Sequence, residues 1–240
     1  NFPDSDIIFL YRDCEKYINS WSSISHTNTN FRRIVKDLLF KVSWGAALFP
    51  EMKEMFDRGM LLKNEEWKEK YEKEVKSEFY SNMTMETLFG VFWLSSIEGY
   101  ILMREDKNKK ENEKDNEKEK QNDLVILPVN FDDFLKRKRE ATEEIIHFCG
   151  LSENLNLEKA ELALAKDSQQ GSMISSKDKT EKRKKFRCQD LPTWPNAIRL
   201  IKKMAEIHPE IGSLEVVYSV PEEARQKIER NKAKFQKKEQ

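Results

Sequence analysis

Apolar residues along the chain follow two rhythms. Near the start, Ile7-Ile8-Phe9-Leu10-Tyr11 is a short continuous apolar run behind a Pro3-Asp4-Ser5 turn signal, which predicts a buried strand. From Asp13 the rhythm changes to steps of three and four, with Tyr17, Ile18 and Trp21 on one helical face. The first unit therefore reads as strand, tight turn, helix. Helical spacing continues at Phe31, Ile34, Val35, Leu38, Leu39 and Val42, and again at Trp67, Tyr71, Val75 and Phe79. Leu88 to Met103 reads as a long apolar-rich helix, and a second strand is predicted over Leu124 to Phe131. Pro128 lies inside that strand and cannot donate to a ladder, so the strand is expected at an edge or with its pairing starting after Pro128. Asp132 or Asp133 is placed to cap the following helix, which carries Ile145, Ile146 and Phe148 and stops at Gly150. Two strands that each deliver the chain into a helix predict a helix-rich α/β fold with a parallel sheet.

Composition then shows that much of the chain lies outside this pattern. The 240 residues include 43 basic and 43 acidic side chains, and 36% are charged against 38% hydrophobic. A domain core does not need so many charges. From Arg104 to Asp123 every residue is charged or is Asn or Gln, 7 positive and 8 negative, which predicts a solvated or frayed helical insertion in a surface loop. Basic charge gathers late: Lys177 to Arg187 holds seven basic and two acidic residues, and Glu222 to Gln240 seven and four. No apolar run approaches the roughly 18 to 20 residues of a membrane-spanning helix, so no membrane segment is expected. Cys14, Cys149 and Cys188, an odd and widely spaced set, predict neither a disulfide framework nor a zinc site and tilt the reading toward a cytoplasmic setting.

Candidate chemistry centres on the end of the first strand, because open α/β sheets bind ligands beyond the carboxyl ends of their strands. Arg12 sits at that point. Its guanidinium can make paired hydrogen bonds to a phosphate, and the helix that follows offers free N–H groups. Ser20, eight residues later, lies about two turns into that helix, where a hydroxyl donor could reach the same anion. A structural ion pair between a strand-end arginine and a nearby carboxylate is the bland alternative.

The segment from Phe2 to Asp13, with Ser20-Trp21 downstream, resembles the 3′-phosphate-binding segment of sulfotransferases. The resemblance implies that Arg12 and Ser20 hold the 3′-phosphate of the donor, 3′-phosphoadenosine 5′-phosphosulfate. Cys14 stands where that family often has proline or another small residue. Val125 to Phe134 is similar to the family strand that ends in a Tyr-Glu-Asp-Leu type sequence, and Ile145 to Leu151 to its Phe-Leu-Gly-Leu helix end. By the same resemblance Phe131 lies near the donor's adenine, with a bare ring where a tyrosine would add a hydroxyl; ordinary core packing is the competing expectation. Lys166 to Ser175, containing Ser168-Gln169-Gln170-Gly171-Ser172, resembles a late Ser-Gln-Gly-Ser loop. Ser168, Gln169, Gly171 and Ser172 are thereby donor-contact candidates, with the basic run at Lys177, Lys179, Lys182, Arg183, Lys184 and Lys185 beyond them.

The resemblance implies a P-loop-like parallel sheet, a transferase that needs no metal, and a small-molecule or glycan acceptor. It covers residues 1 to 221 as a partial domain, interrupted by the insertion at 104 to 123, with 222 to 240 as a charged helical or disordered tail. The family's glycine-rich 5′-phosphosulfate loop and its general base have no counterpart in the chain and are expected before Asn1, so the residues given are expected to be inactive alone. The catalytic base is left unassigned. A catalytically inactive binding or scaffold protein is the alternative. Nucleic-acid binding through the basic segments ranks last, because neighbouring acids dilute them. His26 reads as a loop residue, while His147 and His208 read as helix-end or turn residues. The aromatics at Trp44, Phe49, Phe56, Trp67, Tyr71, Phe89, Phe92 and Trp93 read mostly as core.

Overall fold

The computed structural model describes residues 6–28, 30, 32–33, 65–113, 125–151, 159, 162, 185–207 and 211–238. These residues form a helix-rich α/β arrangement with one small parallel sheet. In chain order the elements are β1 (Ile7–Tyr11), α1 (Cys14–Thr27), α2 (Glu65–Glu74), α3 (Lys76–Ser81) and α4 (Met85–Glu113). They continue with β2 (Ile126–Asn130), α5 (Phe131–Lys136), α6 (Lys138–Phe148), a short 3-10 turn (Cys188–Asp190), α7 (Trp194–Ile207) and α8 (Glu222–Lys238). The chain divides into two compact units. The first comprises Asn1–Arg12, Tyr100–Asp167 and Val217–Gln240, and the second Asp13–Gly99 and Ser168–Val216.

The first unit holds the sheet. β1 and β2 pair in parallel from Ile7↔Ile126 to Tyr11↔Asn130, with Phe9 opposite Pro128. The Ile7 N–H donates to the Val125 carbonyl, so the parallel alternation draws the ladder from Val125, Leu127 and Val129 and turns the nitrogen of Pro128 away from β1. Pro128 therefore costs no bond. Among the described residues β2 is an edge, the first of the two expectations for a proline there.

The β1 run is only half buried, a correction to its reading as a buried strand. Ile8 and Leu10 remain 40% and 56% exposed, because only one face meets an aromatic cluster. On that face Phe9 stacks on Tyr100 with ring centres 4.5 Å apart, and Tyr11 meets Tyr218 edge-on at 5.1 Å. The Tyr218 backbone N–H donates to the Tyr11 hydroxyl at 3.1 Å, so the Tyr11 ring is both packed and polar-satisfied. A second cluster of Leu127, Phe148 and Ala224, flanked by Val125, Val129, Ile145, Val220 and Ile228, joins β2, α6 and α8. Gly150, with φ at +68°, ends α6 in the left-handed conformation expected of it.

The second unit is helical. α4 starts with a reciprocal cap, in which the Thr84 hydroxyl accepts from the Thr87 N–H at 3.2 Å while the Thr87 hydroxyl accepts from the Thr84 N–H at 2.6 Å. The helix continues through Arg104 to Glu113, so the first half of the charged tract is helical, and residues 114–124 lie outside the described residues. Leu88, Val91 and Ile97 on this helix are fully buried, as are Ala197, Leu200 and Ile201 on α7. The four-residue face at Tyr71, Val75 and Phe79 is buried as its spacing predicts, although the helix is interrupted at Val75 between α2 and α3. The bonds from Val75 N–H to Tyr71 O and from Phe79 N–H to Val75 O carry the turn across that break.

Candidate functional site

The register of the sheet assembles the site. Because Tyr11 pairs with Asn130, the next residues, Arg12 and Phe131, leave the sheet together at its carboxyl end. Arg12 Nε and Nη2 donate to Asp132 Oδ1 at 3.1 and 2.8 Å, and the guanidinium carbon stands 5.2 Å from the centre of the Phe131 ring. Asp132 serves Arg12 while a neighbour does the capping. The Asn130 side chain accepts from the Asp132 and Asp133 N–H groups at 2.9 and 3.2 Å, so Asn130 is the cap of α5, in place of the expected Asp132 or Asp133.

The Arg12 side chain is 28% exposed and the Asp132 carboxylate 16%. Held on two sides, by a carboxylate and by a ring, the guanidinium has a fixed plane and a partly open surface. Such a group can pair with an anion, and the Phe131 ring can offer an aromatic face to a flat partner. Arg12 and Phe131, both singled out on sequence, are thus brought together. The carboxylate partner of Arg12, Asp132, is 120 residues away and had no pairwise signal in the sequence.

The other site candidates are distributed differently. Ser20 lies on α1 in the second unit, half-buried, and its backbone carbonyl accepts from the Ser23 hydroxyl at 2.7 Å. Ser168, Gln169, Gly171 and Ser172 lie outside the described residues, as do the basic positions 177 to 184, His208, Trp44, Phe49 and Phe56. Tyr71, Phe89 and Trp93 are 3%, 3% and 2% exposed, and so belong to the core.

One polar cluster of the second unit escaped the sequence reading. His26 belongs to the last turn of α1, not to a loop, and its Nε2 lies 3.1 Å from Glu86 Oε1, while the Thr193 hydroxyl donates to Glu86 Oε2 at 3.2 Å. Phe186 stacks on the imidazole at 5.3 Å. Glu86 is almost fully buried near the start of α4. Burial pushes its carboxyl upward, but hydrogen bonds from His26, from its own backbone and from Thr84 outweigh this and hold it below the ordinary carboxylate value.

The three cysteines are free thiols. Cys14 and Cys188 are fully buried, and burial pushes the Cys188 thiol up to about 12. Among the described residues no helix is long and apolar enough to cross a membrane, and no group of His, Cys, Asp and Glu is arranged to hold a metal ion. Comparison of the chain with protein-family models, curated proteins and solved structures found no match.

Proposed function

We propose that the chain carries the nucleotide-binding part of a sulfotransferase, which moves a sulfuryl group from 3′-phosphoadenosine 5′-phosphosulfate to a hydroxyl or amine acceptor. Arg12 is the residue assigned to the 3′-phosphate and Phe131 the ring assigned to adenine. The observation that carries this reading is their common exit from two paired parallel strands, with the guanidinium 5.2 Å over the ring. Parallel sheets take ligands outside the carboxyl ends of their strands, and an oriented guanidinium suits a phosphate.

Ser20 and the loop residues Ser168, Gln169, Gly171 and Ser172 enter the proposal on sequence resemblance alone, as does a larger sheet of P-loop-like topology. In the transfer, the acceptor oxygen or nitrogen bonds to sulfur as the bond from sulfur to the donor's bridging oxygen breaks. Adenosine 3′,5′-bisphosphate leaves, and a base takes the acceptor proton. No residue of this chain is assigned as that base.

A second reading is a binding or scaffold protein without transfer chemistry. It is favoured by the engagement of Arg12 Nε and Nη2 with Asp132, which lets Arg12 act as a latch between the two strand ends.

Calorimetric titration with adenosine 3′,5′-bisphosphate tests the assignment. Wild type is expected to bind, and Arg12→Ala to lose about 1.5–3 kcal/mol, the worth of hydrogen bonds to a charged group. Equal affinity in the two proteins removes Arg12 from the nucleotide site and leaves the latch. Phe131→Leu keeps the apolar bulk and is expected to weaken binding by about 1 kcal/mol through loss of ring stacking.

A further inference from the structure

A cleft in the first unit, separate from Arg12, Phe131 and Asp132, is lined by opposed charges over an apolar floor. Its volume is about 560 Å³, within the range of small-ligand sites. α6 lines it with Glu140, Glu143, Glu144 and His147, residues three and four apart and therefore on one helical face. α8 lines it with Arg225, Ile228, Glu229 and Lys232, again one face. Leu127 and Val220 join Ile228 as the apolar lining.

The facing charges do not close on one another. Glu140 and Glu144 meet Arg137 near the start of their own helix at 3.7 and 3.8 Å, and Glu143 meets His147 at 3.7 Å. Among the described residues Arg225, Glu229 and Lys232 make no ion pair. Two helices that joined their faces only to stabilise each other would bring these unlike charges into contact. Here they stand apart, with room for a guest between them. His147 is buried at one end of the carboxylate row, and its backbone carbonyl accepts from Asn231 on α8 at 2.7 Å, which ties the walls together beside the opening.

We propose that this cleft binds a small zwitterion with an apolar body, of the class of a hydrophobic α-amino acid. Its ammonium would face the α6 glutamates, its carboxylate Arg225 and Lys232, and its apolar part would cover Leu127, Val220 and Ile228. Such a ligand satisfies both charged walls at once. A simple amine or a simple acid satisfies one wall and meets the like charge of the other.

The test is titration of the whole chain with phenylalanine, phenethylamine and 3-phenylpropionate, which share the apolar body and differ only in charge. Phenylalanine is expected to bind more tightly than either singly charged analogue. The Glu143→Gln/Glu144→Gln variant is expected to weaken phenylalanine and phenethylamine about tenfold, as loss of a charge-assisted contact does, and to strengthen 3-phenylpropionate by removing the like charge it meets. Arg225→Gln/Lys232→Gln is expected to give the reverse pattern. An unchanged melting temperature shows that each variant is folded. Absence of phenylalanine binding at millimolar concentration, phenethylamine binding as tightly as phenylalanine, or two folded variants with wild-type affinity would each overturn the proposal.

Discussion

Glu86 is a carboxylate that folding has removed from water and then re-solvated with protein, using His26, Thr193 and the start of α4 as its shell. Its carboxyl is held below the ordinary value, so the unfolded chain binds the proton more readily than the folded one. The stabilisation is therefore complete above the ordinary carboxylate range, near pH 4–5, and is lost as pH falls through the lower, folded value. Glu86→Gln is expected to cost about 1–3 kcal/mol in urea unfolding at pH 7, and the gap to wild type is expected to narrow on acidification toward pH 3. A gap independent of pH would mean that the charge contributes nothing. Arg12 makes a contrasting case at the same scale. It is partly exposed and meets its carboxylate, itself 16% exposed, beyond the carboxyl end of the sheet, and its value to the site lies in fixing the direction of the guanidinium.

Among the elements, α4 carries two glycines in opposite circumstances. A Cβ at Gly90 would run into the fully buried, β-branched side chain of Ile201, whereas at Gly99 nothing among the described residues lies within reach. Gly90→Ala is expected to destabilise, because overpacking costs about 1–3 kcal/mol and exceeds the helix-propensity gain of up to about 1 kcal/mol. Gly99→Ala is expected to keep that gain and raise the melting temperature. Thermal unfolding of the two variants checks the pair, and shifts of the same sign would contradict it. Met85 to Val91 are buried without a break, and this helix was legible in the sequence as the apolar-rich run from Leu88 to Met103. The end of α1 was not. Ser22, Ser23, Ser25 and Thr27 are modest helix formers and suggest a loop, but Ser23 and Ser25 hydrogen-bond back to the carbonyls of Ser20 and Trp21, both at 2.7 Å, and Thr27 to that of Ser23. Those bonds satisfy the hydroxyls, while the backbone ladder continues to the Asn28 N–H donating to the Ile24 carbonyl and so delivers His26 to Glu86. In the same way, the sequence marked Arg12 by its place after a strand and Phe131 by resemblance alone, while the register that unites them is a long-range property with no local trace.

At the scale of the whole chain, the first unit is sewn from three separated segments, and α8 supplies the last of them. Ala224 and Ile228 cover Leu127 and Phe148, and Lys227 forms an ion pair with Asp6 and sits 5.2 Å over the Phe148 ring. A chain ended at Val216 is expected to lose hydrogen-exchange protection at the β1 and β2 amides while α7 keeps it. Retained protection in β2 would show that the sheet does not need α8. The interleaving has a further bearing on how the protein is made. β1 leaves the ribosome ahead of its pairing partner, which lies more than a hundred residues on, and ahead of a covering helix later still. Until β2 follows, the apolar run at Ile7 to Tyr11 is an unpaired strand in a growing chain.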